Sequence, residues 1–295
     1  MSVKHYRMGG QDILLRSGPV TLEADPATEI FLSQEPVGSA PIELEAVTAD
    51  LSFLEQWKTT VYTGGYELRE GEGRTFLLNH WMTRRFAYGV FLEELHSGEP
   101  LRIYCNKDCL QDLHMRPQHL MGSVGFHHRL LQRSAGILHA SYIAYQGRGI
   151  LFAAPSQVGK STQAELWRRY AGARIVNGDR ALLCRIKGQW HCGGTFSCGS
   201  SAICENLTLP LGAVILLEQG TENEIRPTTV KERIHSLLVG LETFHWDVAD
   251  MDLAIANASR MAGEIPVFRF SCTPEEGAVH TLREYLEVNV FRENI

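Results

Sequence analysis

The sequence lacks any stretch of about 20 apolar residues that could span a bilayer, and its first residues, MSVKHYRMGGQD, contain no apolar signal-peptide core. It also lacks a long run of Lys or Arg, and its formal net charge is -6. Proteins that bind nucleic acids or anionic membranes usually carry a basic patch. We therefore expect a cytoplasmic protein whose partners include neither nucleic acid nor a membrane.

Cysteine is scarce, with seven residues in a chain of 295. An odd number spread so widely excludes the dense disulfide framework of a small secreted domain. No two cysteines form the C-x2-C pair that is the strong signature of a zinc site. We expect reduced thiols that are mostly buried.

The apolar fraction of 44% and the charged fraction of 21% are typical of a folded protein, and the length favours two domains. Residues 1–115 alternate apolar and polar positions in segments such as DILLRSG, EIFLSQ, IELEAV and RTFLLNH. This alternation predicts short, largely antiparallel strands. We expect a smaller, β-rich N-terminal domain, in which no chemical motif occurs.

Residues 116–295 alternate predicted strands and helices, which indicates an α/β domain. Its first element is a predicted helix over residues 117–133, and GAVILLEQ predicts a strand that is covered on both faces. A capping box at Thr229–Glu232 predicts one helix start. An N-cap followed by proline, at Thr273–Glu276, predicts another.

The segment Ala154–Ser161, APSQVGKS, fits the Walker A spacing with Ala at the first position, and we call it the Walker A segment. It lies between a predicted strand, GILFAA, and a helix predicted from Lys160 to about Tyr170. Backbone N–H groups of such a loop bind phosphates, the lysine reaches the β and γ oxygens, and the serine ligates Mg²⁺. The predicted nucleotide-binding residues are Pro155, Ser156, Gln157, Val158, Gly159, Lys160, Ser161 and Thr162.

Asp179 ends ARIVNGD, the strand predicted after the Walker A helix. Its carboxylate is expected at the same end of the sheet as Lys160 and Ser161, where it would be the second metal ligand beside Ser161. The alternative is a turn aspartate after Asn177-Gly178, a pair with strong turn propensity.

The stretch LHASYIAYQGRGILFAAPSQVGKSTQAELW, followed by ARIVNGDRALL, resembles the HPr kinase/phosphorylase group. These are bacterial P-loop kinases whose core is shared with phosphoenolpyruvate carboxykinase. The resemblance runs from about Leu138 to the end of the chain, and is greatest to relatives found beside peptide-modifying gene clusters. It implies an HPr kinase-type α/β domain, and it implies that His139 lies near the transferred phosphoryl group. The implied catalytic residues are thus His139, Lys160 and Asp179.

Two departures from the group's pattern are visible. Where the group has two adjacent acids, this chain has Gly178-Asp179, so the acid that looks like the metal ligand is kept and the one that helps deprotonate the acceptor is missing. The base is then Asp179 or His139, or the transition state needs none. The group's glutamate-arginine-glycine signature, tied to HPr, is absent around HCGGTFSCGSS. HPr is therefore not the expected substrate.

The resemblance implies a kinase that uses ATP and Mg²⁺ and phosphorylates a hydroxyl, with a serine of a small peptide or protein as the expected acceptor. Two alternatives stay open: a kinase for a small metabolite such as free serine or a sugar, and a nucleotide-dependent peptide-binding or escort module with little turnover. The missing acid favours the last. The N-terminal domain either shapes the acceptor pocket or recognises a leader peptide. The choice between ATP and GTP and the existence of a homo-oligomer also stay open.

Overall fold

A computed structural model of the protein describes residues 2–18, 20–38, 40–63, 65–79, 86–97, 100–112, 115–122 and 125–291. The chain divides into two units, one formed by residues 1–7 and 11–129 and the other by residues 8–10 and 130–295. The division lies later in the chain than the boundary expected after residue 115. No helix in the described ranges is long and apolar enough to cross a bilayer.

The first unit is built around one eight-stranded sheet with the order β1-β2-β3-β8-β7-β6-β5-β4. The pairs from β4 to β8 are antiparallel, whereas β2–β3 and β3–β8 are parallel. Its strands are β1 (Val3–Met8), β2 (Gln11–Arg16), β3 (Ile42–Ala49), β4 (Lys58–Tyr62), β5 (Tyr66–Gly71), β6 (Arg74–Asn79), β7 (Tyr88–Phe91) and β8 (Leu101–Asn106). The helices up to residue 132 are α1 (Pro26–Glu29), α2 (Leu92–Ser97), α3 (Pro117–Gly122) and α4 (Phe126–Gln132).

Two sequence expectations in this region are wrong. EIFLSQ does not form a strand: α1 ends inside it, and Leu32 makes one isolated bridge with Tyr6. The helix is favoured because proline occupies its first position, where no N–H is needed. The helix predicted over residues 117–133 is interrupted, since Gly125 adopts a left-handed φ of 84° before α4. Residues 123–124 of that prediction lie outside the described residues.

The second unit contains the other eight-stranded sheet. Its strands are β9 (Gly136–Tyr145), β10 (Arg148–Ala153), β11 (Arg174–Asn177), β12 (Arg180–Ile186), β13 (Gln189–Gly194), β14 (Thr208–Gln219), β15 (Glu224–Pro227) and β16 (Val267–Cys272). Its helices are α5 (Lys160–Ala171), α6 (Val230–Gly240), α7 (Val248–Glu264) and α8 (Glu276–Asn289). The chain is therefore a mixed α/β protein with two large sheets.

Strand direction in the second unit determines where its loops meet. β14 is parallel to both β10 and β16. β11 runs the same way, because it and β10 are each antiparallel to β9. The carboxyl ends of β10, β11, β14 and β16 consequently lie along one edge, which is where α/β proteins usually bind ligands.

Two hydrophobic clusters cover the faces of this sheet. One joins β14 to α5 and α8 through Ile215, Trp167 and Leu282, and the other joins it to α6 and α7 through Leu216, Leu237 and Met261. Successive residues of β14 thus pack on opposite faces. The prediction that GAVILLEQ is covered on both sides is confirmed.

The two predicted helix starts differ in outcome. Thr229 forms the capping box, because its Oγ1 accepts from the Glu232 N–H and its N–H donates to the Glu232 carboxylate. Helix α8, in contrast, begins at Glu276 with Glu275 as N-cap, so the start predicted from Thr273 is wrong. The Thr273 backbone N–H donates to Asn223 Oδ1 at 2.9 Å instead.

We expect Thr229→Ala to lower the free energy of unfolding of the second unit by about 1 kcal/mol, the usual effect of losing an N-cap oxygen. Thr229→Ser keeps the oxygen and should stay close to wild type. Urea denaturation followed by circular dichroism measures both variants. If the free energy of unfolding fell equally in both variants, the methyl group of Thr229, which both lack, would be what stabilises the helix.

Candidate active site

The Walker A segment lies between β10 and α5, as the sequence predicts. Gly159 is the N-cap of α5 with φ of 119°, and within the described ranges no side-chain cap bond closes the first turn of this helix. A Cβ on Gly159 would meet nothing within 4 Å, so glycine is required there for its backbone angle and not for space. The uncapped first turn leaves N–H groups and the positive end of the helix dipole available to an anion.

Lys160 is a buried cation whose ammonium group crosses back over the loop. Its Nζ donates to the carbonyl oxygens of Ala154 at 2.9 Å and Pro155 at 3.4 Å. Burial lowers the pKa of Lys160, and the nearby charge of Asp179 partly offsets this effect. Within the described residues it forms no ion pair, so its charge is held in place by neutral carbonyl dipoles.

The turn that carries Asp179 is fixed by a buried asparagine. Asn177 Oδ1 accepts from the backbone N–H groups of Asp179 and Arg180, both at 2.9 Å. Its Nδ2 donates to the carbonyls of Thr195 at 3.0 Å and Ser197 at 3.1 Å. Asn177 therefore positions the backbone of Asp179, whereas the sequence indicated only a turn.

Arg180 joins Asp179 to a third charged residue, Glu242. Its guanidinium donates to Asp179 Oδ2 and to the Glu242 carboxylate. Glu242 is itself held by its backbone N–H, which donates to the Ile137 carbonyl at 2.8 Å. No local sequence pattern marks Glu242, because it follows α6 and reaches Arg180 only through the fold.

His139 lies on β9, opposite Arg180 of β12. Its Nδ1 is 3.6 Å from Asp179 Oδ1, which is too far for a hydrogen bond. Burial and, next, the positive charge of Lys160 lower the pKa of His139, while Asp179 acts in the opposite direction. The lowered pKa favours the neutral imidazole, which can accept a proton.

Gly178 occupies the position of the missing acid, and Ser201 lies against it. A Cβ on Gly178 would come within 2.2 Å of Ser201 Oγ. A side chain at residue 178 therefore requires the 199–201 turn to move. The Gly178 carbonyl also accepts from Ser141 Oγ at 2.8 Å. Sequence reasoning missed Ser201, which is placed there by a turn far along the chain.

These residues surround one cavity of about 310 Å³, which we call the phosphate cavity. It is lined by His139, Ser156, Gln157, Gly159, Lys160, Ser161, Thr162, Gly178, Asp179 and Ser201. The structure thus brings together the three predicted catalytic residues and five other predicted nucleotide-binding residues. Pro155 and Val158 line a neighbouring cavity instead.

Two side chains with oxygens of the kind that ligate metal ions line the phosphate cavity, the Ser161 hydroxyl and the Asp179 carboxylate. No group of three or more His, Cys, Asp or Glu residues in the described part of the chain could hold a metal. Zinc sites need three or four protein ligands, whereas Mg²⁺ often takes one or two and completes its shell with water and phosphate oxygens. The residues present fit Mg²⁺.

We compared the chain with protein-family profiles, curated proteins and solved structures. No protein-family profile and no curated protein matches the chain. Among solved structures, the Hpr(Ser) kinase/phosphatase from Coxiella burnetii is similar, with 15% identity and a TM-score of 0.29, over 51% of this chain and 92% of that chain. A TM-score this low establishes neither a shared fold nor a shared function.

We expect the charges around His139 to move its pKa in opposite directions. Lys160→Met should raise it, because a positive charge that disfavours the imidazolium is lost, and Asp179→Asn should lower it further. NMR titration of the imidazole nitrogens measures both shifts. The exposed Lys231 is the control, and Lys231→Met should leave the titration unchanged.

The lowered pKa of His139 also predicts how the stability of the protein depends on pH. Protonation of His139 disfavours the folded state, so its contribution to stability is complete above the ordinary pKa of 6.5 and is lost as pH falls through the depressed value. A pKa of His139 above 6.5 in the wild-type protein would contradict the arrangement described here.

Proposed function

We propose that this protein is a kinase that transfers the γ-phosphoryl group of Mg·ATP to a hydroxyl, namely a serine of a peptide or protein other than HPr. The observation that carries the proposal is the phosphate cavity, where Lys160, Ser161, Asp179 and His139 meet at the carboxyl edge of co-directional strands. The E-R-G signature tied to HPr is absent from the sequence.

Three features of the Walker A segment and the start of α5 support the proposal that nucleotide phosphates bind there. The first turn of α5 is uncapped, Gly159 has a left-handed backbone, and the Lys160 ammonium is buried and bonded only to carbonyls among the described residues. A polyphosphate would replace those carbonyls as the partner of Lys160 and would accept from the N–H groups of the turn.

Ser161 and Asp179 are the evidence for the proposed metal site. These two oxygens would hold Mg²⁺, which when bound neutralises charge on the phosphate oxygens. Asn177 fixes the backbone of Asp179 and Arg180 holds one carboxylate oxygen, so the Oδ1 atom is already positioned. The acid needs little reorganisation on binding.

His139 is the base in the proposed reaction. The acceptor oxygen forms a bond to the γ phosphorus, the bond from that phosphorus to the β–γ bridging oxygen breaks, and ADP leaves with the electron pair. The hydroxyl proton passes to the neutral imidazole. His139 suits this role better than Asp179, because Asp179 already shares its charge with Arg180 and would bind the metal.

Replacing Lys160 tests the phosphate assignment. Lys160→Ala should lower the rate of transfer from γ-labelled ATP roughly 100- to 1,000-fold, because the ammonium acts mainly on charge that develops during transfer. Binding of a fluorescent ATP analogue should weaken much less. Lys231→Ala, at an exposed lysine on α6, is the control, and unchanged turnover in Lys160→Ala would refute the assigned site.

Asp179→Asn tests the metal assignment, because it keeps size and turn geometry but removes the charge. We expect Mg²⁺ to lose its effect on nucleotide affinity, with the unfolding midpoint close to wild type. A Mg²⁺ titration at fixed fluorescent ATP, beside urea denaturation, measures both. Unfolding of the variant, with Mg²⁺ dependence intact in whatever remains folded, would show that Asp179 is a turn residue.

A further inference from the structure

A second and larger cavity adjoins the phosphate cavity. It measures about 1050 Å³ and is bounded by the outer side of the Walker A segment, the carboxyl end of β14 and one face of α6. Val158 lies on the first of these walls, Leu217 on the second and Val239 on the third. We call it the α6 cavity, and no step of the phosphate chemistry described above requires it.

The two cavities meet at a wall that they share. His139, Ser156 and Gln157 line both, whereas Thr162 lines only the phosphate cavity. His139 is also the residue beside Asp179, at 3.6 Å. The two cavities therefore meet at His139, the base in the proposed reaction, and at the Ser156–Gln157 part of the Walker A segment, so a ligand in the α6 cavity could place a hydroxyl beside His139.

Gln157 gives this wall its fixed shape. It has a left-handed φ of 69°, a conformation that a residue with a side chain rarely adopts. Its carbonyl oxygen accepts from Gln219 Nε2 at 3.3 Å, which ties the loop to the end of β14. The Gln157 side chain is exposed, so its amide is available to a ligand at the junction.

The charged side chains around the α6 cavity are already paired. Glu218 binds Arg269 and lies 3.5 Å from Arg226, and Arg269 lies 3.6 Å from Glu232. Strongly charged metabolites would have to compete for these pairs. Val239, by contrast, presents an apolar side chain that is 64% exposed, so the cavity offers apolar contacts to a ligand of low charge.

Size further restricts the occupant. Pockets for drug-sized ligands span roughly 300–1,000 Å³, and the α6 cavity, at about 1050 Å³, is larger than a single hydroxy amino acid needs. The nucleoside is the other group of suitable size. In the proposed reaction the transferred phosphoryl group lies beside His139, so the nucleoside would leave the phosphate cavity at the end away from His139.

We infer that the α6 cavity is the acceptor site, and that it binds a peptide segment of several uncharged residues with its serine hydroxyl at the junction beside His139. This inference rests on the proposed function and adds the location and character of the acceptor. Its ligand is a stretch of chain, and Gln157 is the residue placed to orient the hydroxyl.

Filling the cavity tests the inference. Val239→Trp should lower kcat/KM at least 10-fold for transfer from γ-labelled ATP to a mixture of nonapeptides with a central Ser and randomised flanks. Its affinity for a fluorescent ATP analogue should equal that of wild type. Val230→Trp is the matched control, because Val230 is on the same helix, is 58% exposed and does not line the cavity. Ser236→Trp, which does line it, is the second filling variant.

Each other outcome has one meaning. Wild-type kinetics in both filling variants would overturn the inference, and so would a loss of nucleotide affinity in them, which would place the nucleoside in this cavity. Label on free serine or a sugar, with none on peptide, would overturn it as well and leave the nucleotide site intact. Failure of wild-type protein to bind nucleotide would instead remove the proposed function.

Discussion

The common direction of β10, β11, β14 and β16 is the constraint on which the site depends. These strands end at one edge. The Walker A segment after β10 and the Asn177–Asp179 turn at the end of β11 therefore lie close together, although they are separated along the chain. The end of β14 reaches the same edge and supplies Gln219, which supports Gln157. Reversal of β10 or of β11 would place the lysine and the carboxylate at opposite edges of the sheet.

The lysine and the carboxylate at this edge carry opposite charges, but the carboxylate forms its ion pair with a different cation. Arg180, not Lys160, pairs with Asp179, and Glu242 holds the other side of Arg180. Lys160 is left with carbonyl partners. Among the residues that the structure describes, an arriving phosphate therefore breaks no ion pair at the lysine. Oriented groups that need little rearrangement are the effective ones in electrostatic catalysis.

Residue spacing in the sequence was enough to predict part of this site and not enough to predict the rest. The Walker A segment is contiguous, and Asp179 could be assigned to the same edge because one helix and one short strand separate it from the loop. Glu242 and Ser201 reach the site from distant segments, so no local pattern marks them. The failed helix start at Thr273 has the same origin, since Asn223, a tertiary partner, binds its N–H. Roles for the assigned residues remain predictions.

In the proposed reaction, the same proximity links nucleotide binding to the strength of the base. Lys160 contributes to the low pKa of His139 in the free protein. Once phosphate oxygens neutralise that ammonium, the imidazole becomes a stronger proton acceptor. Mg²⁺ on Asp179 acts in the opposite direction, because it offsets the carboxylate that favours the imidazolium. Occupancy of the phosphate cavity therefore changes the pKa of His139 through two opposing charges, and the balance between them sets how strong a base the acceptor hydroxyl meets.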